Sequence, residues 1–227
     1  IEGTQGRSND FREDTLILSG SAQEKDYFIK TTNTNGSTSY DGFGYDRGHL
    51  APSADFRWSK TALSESYFYS NMSPQLPEFN RDCWAKLENS LRNYVIEKNQ
   101  SLFIVTGPVL SSNLKKIERS INNVSIPNYF FKAVLDINNQ KSVAYLFPHK
   151  KNEYPIDYYA ISIDSLENIT GLDFFSNLED SLEKIIEQQA DFSFLNSDNK
   201  QSNSPPIKPE NLKKGTFESI TWKKKSY

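Results

Sequence analysis

Gly44-Tyr45-Asp46-Arg47-Gly48-His49-Leu50-Ala51-Pro52 is the stretch on which the reading of this chain turns. Positions 46 to 49 gather a carboxylate, a guanidinium, a residue without a side chain and one of two histidines. Gly42, Gly44 and Gly48 leave little bulk on the approach to His49, and Pro52 forbids a regular helix straight after it. Asn71 follows downstream, then Asn80, which opens a segment where Trp84, Leu87, Leu91, Tyr94 and Val95 recur at spacings of three and four. That period predicts a helix over about 80–98, with Glu88 and Arg92 one turn apart on it. β-Favouring residues at 27–30 and 67–71 predict strands, so the motif belongs to a strand–loop–strand–helix unit.

The chemistry these residues permit is phosphodiester hydrolysis, which needs a nucleophile, charge neutralisation and a proton for the departing oxygen. Histidine, with an unperturbed pKa of about 6.5, is suited to act as base at neutral pH. Mg²⁺ prefers oxygen ligands and keeps several waters, so one protein oxygen can be enough. Asn80 and Glu88 are separated by roughly 12 Å along a helix axis, too far for both to touch one ion with ligands at about 2.1 Å. One of the two should therefore act through water; Asn80, at the helix start, is expected as the direct ligand and Glu88 as the partner that orients a metal-bound water. Arg92 is placed to pair with Glu88 or to meet a phosphate. Blander roles exist for each: a structural His49, an Asn80 that only caps the helix, a Glu88–Arg92 surface pair. Their clustering favours function. For His149, between Phe147-Pro148 and Lys150-Lys151, the bland role wins, and a surface residue at a strand end is expected. Cys83 and Trp84 read as packing residues.

The ordered set of motifs resembles the DNA/RNA non-specific endonucleases, the ββα-metal, endonuclease G-like nucleases. One block is 44–52. The other is Ser70-Asn71-Met72-Ser73-Pro74-Gln75 with Phe79-Asn80-Arg81 and Trp84-x-x-Leu87-Glu88; Thr106-Gly107-Pro108, residues 127–132 and Ile169-Thr170-Gly171-Leu172 add to it. The likeness runs from about Arg7 to Leu195. It implies that His49 is the general base activating water, that Asn80 is the direct protein ligand to Mg²⁺ (Mn²⁺ or another divalent cation being alternatives), and that Glu88 holds metal waters. It places Arg47 and Arg92 near the phosphate, gives Asn71 a positioning role and leaves Asp46 to fix the motif's backbone. The family's upstream arginine falls on Arg7, with Arg12 a competitor. Implied products are 5′-phosphate ends on DNA and RNA. Residues 31–42 make a longer, more polar lead into the motif than the family suggests.

The strand and helix pattern together with the resemblance implies an α+β fold, a mostly antiparallel sheet carrying a ββα-metal unit with flanking helices. At 227 residues the chain suits one domain plus a tail. The expected division is a nuclease domain over 1–195 and a Ser/Asn/Pro/Lys-rich tail over 196–227, with a possible edge strand at 217–222. Further strands are expected at 15–18, 102–106, 129–136, 142–147 and 158–163, the third and fourth joined by a hairpin turn at 138–140, with a loop over 31–42. Helices are expected over 165–169 and about 177–189. No apolar run approaches the roughly 18 residues of a membrane span. Cys83 is the sole cysteine, which excludes an intramolecular disulfide. A net charge of -3 argues against holding nucleic acid by bulk electrostatics and leaves room for a local cationic groove. Export to the periplasm or beyond is expected from the resemblance to secreted enzymes and the start at Ile1. The leading expectation is a Mg²⁺-dependent nuclease of DNA and RNA, with an inhibitor protein as a further partner. The alternative is a catalytically silent nucleic-acid or partner-binding module.

Overall fold

The computed structural model describes residues 3–188 and Asp191; the expectations for residues 196–227 lie outside them. Near the N-terminus, Phe28–Thr32 (β1) and Thr38–Gly42 (β2) pair antiparallel as an exposed hairpin. This corrects the loop expected over 31–42. Its Asn/Gly tip is the hairpin turn itself, closed by the Asn33 amide donating to the Ser37 carbonyl at 2.8 Å. The strand expected at 15–18 is instead a turn with Leu16 and Leu18 exposed, because no neighbouring strand lies beside it.

Asp46–His49 (β3) and Met72–Gln75 (β4) form a second antiparallel pair, with Gly48 opposite Ser73 and His49 opposite Met72. Strand structure thus starts after the expected 67–71, since Tyr69–Asn71 makes a 3₁₀ turn first. Pro74 sits inside β4, where a two-stranded pair leaves a free edge that needs no amide donor. Gly48 is required by close approach: a Cβ there would lie 2.1 Å from Gln75 Oε1. The connection between the strands carries a short helix, Lys60–Glu65 (α1), whose start is capped by Ser59 Oγ accepting from the Ala62 amide.

The expected helix after β4 has two parts. Phe79–Trp84 is a π-helical turn, and Ala85–Lys98 (α2) is regular, ended by Asn99 in the left-handed conformation. The sheet follows, with strands Phe103–Pro108 (β5), Tyr129–Asp136 (β6), Lys141–Pro148 (β7) and Ala160–Ile161 (β8) in the order β5-β6-β7-β8, all antiparallel. Gly107 and Pro108 extend β5 two residues past the strand expected at 102–106. The run 158–163 keeps two residues as strand, because Ser162 accepts from the Ser165 amide and starts Ile163–Thr170 (α3). The last helix is Asp180–Gln188 (α4), close to the expected span.

Side-chain alternation on the hairpin β6–β7 decides the layering. Phe130, Val134, Val143, Tyr145 and Phe147 point to one face and pack under Phe79, Trp84, Leu87 and Leu91. Phe131, Ala133, Ala144 and Leu146 point to the other and pack under Ile163, Leu166 and Phe174. The sheet is covered on both sides, which is why β6 and β7 read as near-continuous apolar runs. Each fully buried Leu or Phe adds about 1.5–3 kcal/mol to this arrangement. The unit β3–β4–α2 hangs on the first face, as the motif predicted.

Candidate active site

The short pair β3–β4 and the π turn bring the motif's acid and the downstream asparagine together. Asp46 Oδ2 accepts from Asn80 Nδ2 at 2.9 Å and from Arg81 Nε at 2.8 Å, while Oδ1 accepts from Arg81 Nη2 at 2.6 Å. The expectation that Asp46 fixes the motif's backbone is therefore corrected: its carboxylate orients side chains. An ionised carboxylate only accepts, so it must take the amide nitrogen of Asn80 and turn the amide oxygen the other way. Asn80 Oδ1 receives no hydrogen bond from the described residues. Asn80 does not cap the helix either, since it lies within the π turn.

Asn80, Asp46 and Arg81 line a cleft of about 500 Å³ with Arg7, Asn9, Phe11, Phe28 and Arg47. The Arg47 guanidinium carbon lies over the Phe11 ring, 3.6 Å from its centre, and 5.2 Å from that of Phe28, contacts that hold a guanidinium without neutralising it. Among the described residues neither Arg7 nor Arg47 has an ion pair. Arg12 lies elsewhere, paired with Asp10 at 2.7 Å, donating to the Ser64 carbonyl and stacked over Phe68. Of the two upstream arginines, Arg7 is the one at the cleft.

His49 follows on the same strand. Its ring stands edge-on to Tyr67 at 4.9 Å and tilted against Phe11 at 6.0 Å. Nε2 is closed to solvent and has no hydrogen-bond partner. Burial, and then the charges of Arg7 and Arg47, push its pKa down to about 4, so the imidazole is neutral at pH 7. Asn71 clamps the loop just beyond it: Oδ1 accepts from the Ala51 amide at 3.0 Å, and Nδ2 donates to the Ala51 and Ser66 carbonyls at 2.9 and 2.8 Å. These bonds tie the loop after β3 to the turn that precedes β4.

Glu88 and Arg92 do not line the same cleft. Glu88 opens on a second cavity of about 490 Å³ with Ala51, Pro52, Asp55, Thr106 and Lys132. Its Oε1 is buried without a hydrogen bond, and burial raises its pKa to about 7 against the pull of Lys132. Lys132 Nζ stands 3.7 Å away, in ion-pair range but beyond a hydrogen bond. That ammonium donates to the Leu50 carbonyl at 3.1 Å and to Thr106 Oγ1 at 3.0 Å. Burial lowers the Lys132 pKa. Arg92 pairs with Asp55 at 2.7 Å and donates to Asn89 at 2.6 Å, not to Glu88. The chain from Asp46 to Pro52 runs from one cavity to the other, with His49 between them.

Sequence reasoning missed Lys132, Arg81 and Asp55 as parts of this site. Lys132 had a signal, an ionisable residue inside the apolar run 129–136; Asp55 had none. The expected surface position of His149 is overturned. Its Nδ1–H donates to the Pro127 carbonyl at 2.8 Å, and Nε2 accepts from the Leu76 amide at 2.7 Å. The ring packs between Phe79 and Phe130. Burial lowers its pKa, which keeps the neutral form this pair of bonds requires.

The DNA/RNA non-specific endonuclease family model matches residues 1–181. The chain belongs to that family. Bovine mitochondrial endonuclease G is 29% identical over 194 residues, covering 78% of this chain and 60% of that one. A nuclease from Nostoc is 30% identical over 202 residues, covering 83% of this chain and 68% of that one. The chain spans about 60% of the length of the endonuclease G relatives from cattle and human. Among solved structures, one of an endonuclease G in complex with its inhibitor superposes with a TM-score of 0.60 at 25% identity, covering 78% of this chain and 74% of that one. The α+β, ββα-metal fold expected from the motifs is the fold of this family member. No helix among the described residues is long and apolar enough to cross a membrane.

Proposed function

We propose that the chain is a divalent-cation-dependent endonuclease that hydrolyses phosphodiester bonds of DNA and RNA and leaves 5′-phosphate ends. The observation that carries this reading is the Asp46 clamp. It presents Asn80 Oδ1 to a cleft lined by Arg7 and Arg47, beside a neutral histidine with an unpartnered ring nitrogen.

The residues fit a hard cation such as Mg²⁺, since the donor offered is an oriented amide oxygen with a carboxylate behind it. Asn80 would hold the ion directly, with Glu88 on its water shell. Bound there, Mg²⁺ would supply charge neutralisation at the phosphate. The chain's own residues do the rest. Arg47 and Arg7 draw the phosphate into the cleft and offset charge that develops on its oxygens. His49 Nε2 accepts the proton of the attacking water. Lys132, by holding the Leu50 carbonyl, and Asn71, by holding Ala51, fix the backbone next to His49. A proteinaceous inhibitor seated on this cleft belongs to the same reading. Export, and a domain boundary near 195 with a separate tail, are further parts of it. Cell fractionation checks the first and limited proteolysis the second.

One observation favours a second reading, a silent nucleic-acid-binding module: His49 Nε2 is shut off from solvent. Plasmid nicking and RNA degradation with Mg²⁺, abolished by chelator and in His49→Ala, decide for the nuclease. Binding of nucleic acid without cation-stimulated cleavage decides for the module. End-labelling of the product identifies the 5′-phosphate.

A further inference from the structure

On the opposite face of the sheet, α3 and α4 bring three carboxylates together. Asp164 and Glu167, three residues apart on one side of α3, meet Glu187 of α4, and one oxygen of each lies within 4.8 Å of the others. Glu187 is 6% exposed, and its Oε1 is buried with no hydrogen-bond partner. Glu167 Oε1 accepts from the Phe174 amide at 2.8 Å, and its second oxygen has no hydrogen bond among the described residues. Asp173 and Glu183 add negative charge nearby, and among the described residues no Lys or Arg pairs with any of the five. A buried carboxylate without a partner is costly, and the cost is relieved by a proton, towards which burial and the neighbouring acids push Glu187 by raising its pKa to about 7, or by a bound cation.

The donor set is all oxygen, with no sulfur or imidazole, which selects a hard cation. Two ligands held about 2.4 Å from a Ca²⁺ ion on opposite sides are about 4.8 Å apart, so three oxygens within that span fit one coordination sphere. We propose that Asp164, Glu167 and Glu187 form a Ca²⁺ site that fastens α4 to α3. Beyond this cluster α4 is held to the sheet by Ser142 Oγ donating to the Ile186 carbonyl at 2.6 Å and by the buried Ile186 side chain, and just past it Asp191 pairs with Lys141 at 3.2 Å and donates its amide to the Ser142 carbonyl at 2.9 Å. The site lies apart from Asn80, because α3 packs on Phe131, Ala133, Ala144 and Leu146 while the π turn and α2 pack on the other side of the sheet. The proposal does not depend on the nuclease reading.

The test is calorimetric titration of CaCl₂ into the full chain carrying Asn80→Ala, stripped with chelator beforehand, together with thermal melts. The Asn80→Ala background removes the ligand of the proposed catalytic ion. Expected are one bound Ca²⁺ per chain and a melting temperature that climbs with Ca²⁺ concentration by mass action. Adding Glu187→Gln should weaken binding at least about tenfold and remove the rise in melting temperature. Asp164→Asn, at a less buried position, gives the same readout should Glu187→Gln fail to fold. No bound Ca²⁺ in the Asn80→Ala chain overturns the proposal. So does an undiminished response in the acid-cluster variants, and so does a Glu187→Gln chain that melts higher than its parent while neither responds to Ca²⁺, which would mark a protonated carboxyl instead.

Discussion

The two cavities on either side of His49 are of nearly equal volume and opposite electrostatic design. In the first, Arg7 and Arg47 carry charge that no acid among the described residues offsets, and aromatic faces hold Arg47 in place. In the second, Glu88 and Lys132 face each other in a dry setting, and Arg92 is already bound by Asp55. A positive cleft attracts an anion; a cavity whose charges face one another holds a backbone still. The lesson is that charged residues close to one motif differ in whether a partner is already inside the protein: Arg92 has one in Asp55, whereas Glu88 keeps an oxygen without a hydrogen bond.

The largest effects should come from the first cavity. His49→Ala is expected to lower kcat by about 10²–10⁴-fold in single-turnover cleavage of a defined duplex. Asn80→Ala should match that loss and, unlike His49→Ala, raise the Mg²⁺ concentration needed for half-maximal rate. Equal rates in parent and either variant would end the division drawn here. The second cavity should answer first in stability. Lys132→Met leaves Glu88 buried and unpaired, an expected cost of about 3–5 kcal/mol in urea unfolding. The double variant Glu88→Gln/Lys132→Met should recover much of that stability without recovering activity. A Lys132→Met chain as stable as the parent would show that the pair is not internally satisfied.

The pH dependence separates the two regions further. Glu88 is raised to about 7 by burial, so its ionised fraction grows as pH rises through that value, and kcat/KM at low Mg²⁺ should climb with it. That limb should disappear in Glu88→Gln and leave the one set by His49, near 4. His49 also leaves a mark on stability. Its pKa is about 6.5 unfolded and about 4 folded, so the unfolded chain binds more protons between them. Its contribution to stability should therefore fall as pH drops through that window, opposite in sign to that of Glu88, and the melting-temperature difference between parent and His49→Gln should change with pH accordingly. The smallest effect is outside both cavities. His149→Ala removes two hydrogen bonds and should cost about 1–3 kcal/mol by leaving the Leu76 amide unpaired, with kcat unchanged in the folded fraction.

Much of this was legible in the residues. The 80–98 periodicity located α2, and the apolar runs 129–136 and 142–147 located the two central strands, because both signals come from local pattern. The composition at 31–42 misled, since an exposed hairpin and a polar loop use the same residues and only strand pairing separates them. Asp46 and Asn80 could be marked as candidates, yet their hydrogen bond spans 34 positions and no spacing rule reaches that far. Arg92 shows the converse. Its place one turn after Glu88 suggested a pair, but Asp55, 37 positions away, competes for it and wins. His149 was misread because a polar residue beside two lysines looks solvated, while its burial is set by Phe79 and Phe130 from distant elements.

The π turn at Phe79–Trp84 has a bearing on how this protein tolerates change. One extra residue in a helical turn shifts everything before it by about 100° around the axis relative to everything after it. Excising a single residue between Arg81 and Trp84 would relax the turn into ordinary helix and swing the Asn80 side chain off Asp46, while Leu87 and Leu91 stayed seated against the sheet. Chain length in this one turn acts as a key: a folded protein one residue shorter would keep α2 on the sheet, unseat Phe79 from the core and lose the pointing of its amide.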